Sequence, residues 1–283
     1  MSLPKYLTLS QIIGLRSFHG VAWLTLAFLM LPILIIIPLS FNAEPYFTFT
    51  EGMLAFEADA YSLEWYREII NDEKWILAIK NSFYIGFFAT ILATVLGTCA
   101  AIGLSNPSMP FQRIIMAILL SPMIVPLIIT AAGMFFFYSQ MNIAGTYIGV
   151  IIAHAALGTP FVIITVNAAL AGFDYSLVRA SMSLGAPPLM TFLKVVVPLI
   201  RPGVISGALF AFITSFDEVV VVLFLAGPEQ RTIPRQMFSG LREQINPTIL
   251  AVATLLIVIS VLMLITIEYL RRRGESIRTG SYN

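Results

Sequence analysis

Asp217 and Glu218 stand side by side in FITSFDEVVVVLFL, residues 212–225, inside a run otherwise apolar enough to cross a membrane. A carboxylate near the bilayer midplane costs about 2.5–3.5 kcal/mol even on lenient insertion scales. Paired acids in such a place have two main uses, contact with another subunit being a third. They can line a watery passage and attract a cation, or they can pair with Arg231, Arg235 or Arg242 in the following segment and brace it. The aromatic row Phe135, Phe136, Phe137 and Tyr138 could stack on an organic cation, or anchor a helix end at the membrane interface. Enzyme chemistry finds little support. There is no H-E-x-x-H, no G-x-S-x-G and no G-x-x-x-x-G-K-[ST] phosphate loop. Cys99 is the only cysteine, which excludes an internal disulfide and a Cys-rich metal site. His154, in IIAHAALG, reads as an interhelical hydrogen-bond donor rather than a ligand or base. Neither a cofactor nor a metal is expected, and net charge of +1 points to no nucleic acid.

The elements that hold these residues follow from composition. Hydrophobic residues make up 58% of the chain and charged ones 11%, against roughly 25% charge in soluble domains. No charged side chain lies between Lys80 and Arg113, or between Arg113 and Asp174. Such stretches exceed the ~20 residues that cross a ~30 Å hydrocarbon core. The chain therefore reads as an all-α polytopic membrane protein, with six transmembrane helices near 21–41, 81–104, 114–138, 147–170, 202–225 and 248–270. The first is longer than a signal peptide's apolar core and reads as a retained helix. YSQMNIAGTY, residues 138–147, divides the third span from the fourth, and SNPSMPFQR, residues 105–113, closes the turn before the third.

Basic residues set the orientation. With N and C termini cytoplasmic, inside segments hold ten Lys or Arg and outside segments six. One transmembrane domain over 1–283 is expected. Its cytoplasmic parts are 1–20, 171–201 and 271–283, and its extracytoplasmic loops are 42–80 and 226–247. Within the first loop, SLEWYREIINDEKW predicts a short amphipathic helix with Leu63, Tyr66, Ile69 and Ile70 on one side. Asp217 would lie ~22 Å along a continuous fifth helix begun near Pro202.

Residues 171–203, AGFDYSLVRASMSLGAPPLMTFLKVVVPLIRPG, are too long for an ordinary helix connection. Phe173, Leu177, Ala180 with Ser181, and Leu184 recur at helical spacing. Gly185 can end that helix in a left-handed conformation, and Pro187 and Pro188 suit the start of another. A helix–glycine–helix hairpin with small side chains on one side fits a groove of another protein; an amphipathic helix lying on the membrane surface is the alternative.

This hairpin resembles the EAA loop of ABC importer permeases, E-A-A-x3-G-x9-I-x-L-P. Ala180, Gly185 and Pro198 match, Val195 and Val197 stand in for Ile and Leu, and Arg179 and Ser181 replace the Glu and the second Ala. SFDEVVVVLFLAGPEQRTIPRQMFS is similar to a stretch of spermidine/putrescine-type permeases, through Ser215, Phe216, Asp217, Gly227, Pro228, Thr232, Pro234 and Ser239. The resemblance implies a type I ABC importer permease fold in the bacterial inner membrane. It implies a second homologous permease subunit, two cytoplasmic ATPase subunits and an extracytoplasmic solute-binding protein as partners. Arg179, Ala180, Ser181, Gly185, Val195, Val197 and Pro198 would then couple to the ATPase. Asp217, Glu218 and Phe216, with Tyr138 from the aromatic row, would line the path of a small cationic amine. An opine or amino-acid derivative is the alternative solute, and an ion-coupled transporter or channel the alternative class.

Overall fold

The computed structural model describes residues 9–106, 108–243 and 246–279, without the side chains of residues 9, 11, 12, 242, 243, 263 and 266–279. Lys5 and the side chains of Arg242, Arg271, Arg272, Arg273 and Arg278, which enter the charge balance, lie outside the described set. The elements are helical throughout. α1 (Leu9–Leu39) ends where the Ser40 hydroxyl donates back to the Ile37 carbonyl at 2.6 Å. Asn42 then organises the following segment. Its Nδ2 donates to the carbonyls of Tyr46 and Thr48 at 3.1 and 3.0 Å, and its Oδ1 accepts the Glu44 amide at 3.0 Å. A single turn, α2 (Glu51–Leu54), is capped by Thr50.

α3 (Glu64–Asn71) is the expected amphipathic helix, with one correction. Ile69 is buried, but Leu63 and Ile70 are exposed, so the apolar side is narrower than its sequence suggests. The helix stops because Asp72 opens the next one: its carboxylate accepts the Lys74 amide at 2.8 Å. α4 (Glu73–Leu104) consequently starts upstream of the expected residue 81.

The third span is not continuous. α5 (Gln112–Leu120) passes through a 3-10 turn, Ser121–Met123, into α6 (Leu127–Gln140), with a bend of 99°. Pro122 and Pro126 explain the bend, since each lacks an amide proton and crowds the preceding turn. After α6 the chain turns through Asn142 and Gly145, both with positive φ. Thr146 then caps α7 (Tyr147–Ala171) by accepting the Gly149 amide.

α8 (Ser176–Ser183) and α9 (Pro188–Thr191) form the hairpin. α9 runs through a π turn, Phe192–Val196, into α10 (Val197–Phe216), so the fifth helix is entered at Pro188 rather than near Pro202. Pro198 cannot donate to Lys194, inside that π turn, and widening the turn relieves the clash. α10 also stops short of the expected length. α11 (Val220–Leu225), α12 (Ile233–Glu243) and α13 (Thr248–Thr279) complete the chain.

Two compact units result, Met1–Asn71 with Glu243–Met263, and Asp72–Arg242 with Leu264–Asn283. In the first, Glu68 of α3 accepts the Thr248 hydroxyl at 2.5 Å and the Asn246 amide at 3.4 Å. The second is built on α4, α7 and α10, which approach through small residues. A Cβ on Gly97 would lie 2.6 Å from Val162 Cβ, and one on Gly207 2.8 Å from Val162 Cα. Close backbone approach is how helices gain packing where no water drives them together. By length and composition Ile13–Leu39, Glu73–Leu104, Tyr147–Ala171 and Pro188–Phe216 can each cross a membrane. The bent pair Gln112–Met123 and Leu127–Gln140 adds a fifth crossing if it counts as one broken span.

Candidate functional site

The helix break between α10 and α11 separates the two acids. Asp217 caps α10, its amide donating to the Ile213 carbonyl at 3.0 Å, and its side chain is exposed. Glu218 is only 7% exposed and turns inward, where its Oε1 accepts the Val221 amide at 2.8 Å. The sequence favours this break. Val219, Val220, Val221 and Val222 are β-branched and weak helix formers, and a carboxylate that accepts a first-turn amide starts a new helix in their midst. The expected 100° divergence of two residues on one helix is thus replaced by a break that buries one acid and exposes the other.

Neither arginine of the following segment that the structure describes pairs with these acids. Arg231 donates to Gln236 Oε1 at 2.8 Å, and Arg235 donates to the carbonyls of Ala226 and Gly227 at 2.9 and 2.8 Å. The side chain of Arg242 lies outside the described residues. What holds the segment instead is a polar strap. Asn81 of α4 donates to the Glu229 and Arg231 carbonyls at 2.7 and 2.9 Å, and its Oδ1 accepts the Tyr147 hydroxyl at 2.9 Å. Ser82 accepts the Ile233 amide at 2.8 Å. Asn81, Ser82 and Tyr147 escape a reading of the sequence alone. The one available signal is a polar pair at the head of an apolar run, and it does not name its partner 150 residues away.

His154 does act between helices. Fully buried on α7, it holds Nδ1 2.8 Å from the Ser215 hydroxyl in the last turn of α10. Phe216, the next residue, is half-buried and stacks on Phe212. Tyr138 is packed with Ala131, Val150, Val221 and Leu225 in an apolar cluster, while Phe136 and Phe137 are exposed.

The hairpin has the opposite character. Gly185 has φ +82°, its amide donates to the Met182 carbonyl at 3.0 Å, and the Ala186 amide donates to Ser181 at 3.2 Å. This pair of bonds is a Schellman stop, which requires the left-handed residue that glycine supplies. The Ser181 and Thr191 hydroxyls, 2.9 Å apart, tie α8 to α9. Arg179, Ala180, Gly185 and Pro198 are exposed, and Val195 and Val197 half-buried. Leu184, at 88% exposure, and Leu189 project beyond the turn. Asp174, at the foot of α8, accepts the Ser176 hydroxyl and amide, and these bonds hold its carboxyl below the ordinary range.

Long apolar helices, a broken helix with a capped acid, and an exposed helix–glycine–helix elbow together define a membrane transport subunit. Residues 93–275, which contain both the elbow and the break, match the binding-protein-dependent transport system inner membrane component. The chain belongs to that family. It is 30% identical over 249 residues to the spermidine/putrescine transport system permease protein PotC of Haemophilus influenzae, covering 88% of this chain and 94% of the relative. It is 32% identical over 241 residues to the putrescine transport system permease protein PotI of Escherichia coli K12, covering 81% and 82%. The trehalose transport system permease protein SugB of Mycobacterium tuberculosis is 27% identical over 253 residues, covering 88% and 90%. A solved bacterial ABC transporter involved in the import of the acidic polysaccharide alginate shares the fold, with TM-score 0.72 at 15% identity, covering 94% of this chain and 99% of that one. The protein is accordingly a multi-pass inner-membrane permease subunit of a bacterial ABC importer, a transport component rather than an enzyme. Importers of this kind work with an ATPase and a solute-binding protein.

Proposed function

We propose that this permease carries polyamines or related small cationic amines inward. The observation that carries the reading is the exposed Asp217 carboxylate at a helix break in an apolar run, with no cationic partner among the described residues. A di- or triammonium solute entering a low-dielectric passage needs opposite charge on the wall, and a weak attraction lets it leave again. The names of the relatives PotC and PotI support the same class. Phe216 accompanies Asp217 on the pathway, Glu218 holds the break open beneath it, and Tyr138 backs α11 from within.

Six spans with both termini cytoplasmic suit the ten-to-six bias of basic residues, with α5–α6 as one bent crossing and α13 as the last. The α8–α9 elbow then faces the cytoplasm. There Arg179, Ala180, Ser181, Gly185, Val195, Val197 and Pro198 receive force from one of two ATPase subunits, and a second, homologous permease completes the passage. The single domain over 1–283 keeps loops 42–80 and 226–247 outside, toward the solute-binding protein.

Uptake of radiolabelled putrescine and spermidine by the reconstituted importer tests the reading. Asp217→Asn should raise KM for both amines several-fold without loss of the subunit from the membrane. Preference for a neutral sugar or an amino-acid derivative would overturn the substrate class. That second reading has its own support in the likeness to SugB.

A further inference from the structure

Three phenylalanines converge where α10 ends. Phe216 stacks on Phe212 one turn earlier, with ring centroids 5.5 Å apart and planes at 25°. Phe83 of α4 meets Phe216 at 5.2 Å and 63°, and Phe212 at 6.5 Å. Gly86 makes room for them, since a Cβ there would lie 3.1 Å from Phe212 Cε2. The cluster is open on one side: Phe83 is 45% exposed, and Phe212 and Phe216 are half-buried. Phe216 also stands between Ser215, which is buried, and Asp217, which is exposed.

We propose that Phe83, Phe212 and Phe216 form an aromatic floor that binds the alkylammonium head of the solute, with Asp217 supplying the opposing charge. The proposal rests on the reading that Asp217 lines the solute route. An aromatic ring carries negative potential on its faces and attracts a cation within about 6 Å of its centroid. Lipid is a poor occupant, because the exposed carboxylate of Asp217, the residue after Phe216, would have to be desolvated against hydrocarbon. A neutral sugar could stack on the rings but gives the acid nothing to do. An alkylammonium group uses both, its methylenes against the rings and its charge against Asp217. The aromatic row Phe135–Phe137 on α6 has no acidic neighbour along the chain, none occurring between Glu73 and Asp174.

Graded fluorination of Phe216 in the complete reconstituted importer tests the floor, with radiolabelled putrescine and spermidine as probes. Fluorine drains the ring face of negative potential and barely changes its size, so folding is not at stake. KM should climb stepwise from one to three fluorines, reaching about tenfold, while kcat stays within about twofold. Phe83→Leu and Phe212→Leu should each raise KM about threefold, and Phe216→Trp should lower it. A KM that ignores fluorination overturns the floor. If Asp217→Asn still raises KM in that case, the acid reading stands without it. If neither change moves KM, both fall.

Discussion

The break at Asp217–Val219 and the turn at Leu184–Pro187 both interrupt helix, and they solve opposite problems. At the break the chain takes a carboxylate inside and satisfies it with its own backbone, the Glu218 oxygen on the Val221 amide. At the turn it leaves apolar side chains outside, Leu184 and Leu189 foremost, uncovered by any other described residue. A buried polar group with a partner completes the chain's own architecture. A cluster of exposed apolar groups is a demand on another molecule. Damage at the break should therefore appear first as lost stability, and damage at the elbow as lost coupling.

The strongest test of that contrast is Gly185→Val. A left-handed conformation costs an L residue about 1–2 kcal/mol, and a β-branched one more. Binding-protein-dependent uptake should fall about tenfold or more while the subunit remains inserted. ATP hydrolysis and uptake measured on the same vesicles decide it, and fully coupled transport would erase the distinction between the two regions. Next in size is Glu218→Ala, which strips the cap from α11 and leaves a buried amide unpaired, at about 1–3 kcal/mol. Thermal unfolding of the purified subunit should show the loss, and Glu218→Gln, which keeps an acceptor, should recover most of it.

Slightly smaller is the effect of cutting the bond between α7 and α10. His154→Ala and Ser215→Ala should each cost about 1–2 kcal/mol, and the double variant little more than either. His154→Asn, which keeps a polar atom near the position of Nδ1, should outperform His154→Gln. Leu184→Ser should change stability by no more than about 0.5 kcal/mol. Its effect should appear instead in ATPase co-purification, and a stability loss as large as that of Glu218→Ala would mean the elbow packs on its own chain.

The smallest expected effect is a pH dependence at the foot of α8. The Ser176 hydroxyl, and then its amide, lower the carboxyl of Asp174 below its ordinary 3.8. A depressed folded value stabilises the fold above the unfolded one and withdraws that support as pH falls through it. Hydrogen exchange in α8 should therefore be insensitive to Asp174 between pH 8 and 5 (about neutral to mildly acid) and rise only below 3.8. Asp174→Asn should abolish that dependence.

Much of the elbow is legible in the sequence because its determinants are local. Gly185 needs a left-handed position, Pro187 and Pro188 need a helix start, and both requirements are met within a few residues. The break is legible only as a puzzle. Two acids in an apolar run announce that something polar happens there, but four valines look like any membrane helix until Glu218 caps them. The bend at Pro122 and Pro126 falls between: the prolines are visible, and the 99° angle is not. Asn81 and Tyr147 are invisible as a strap, since their partners on the Glu229 and Arg231 carbonyls are chosen by the packing of α4 against α7.

Composition, charge placement and the spacing around Gly185 determined by themselves that this chain is helical, membrane-embedded and equipped with an elbow. Those features depend on transfer free energy and on backbone conformations that each residue carries with it. Which acid turns inward, which histidine nitrogen meets Ser215, and which rings gather at the end of α10 were decided only when α4, α7 and α10 closed on one another. Such choices rest on contacts between residues far apart in the chain, where hydrogen-bond geometry and close packing admit one arrangement and the linear order holds no record of it.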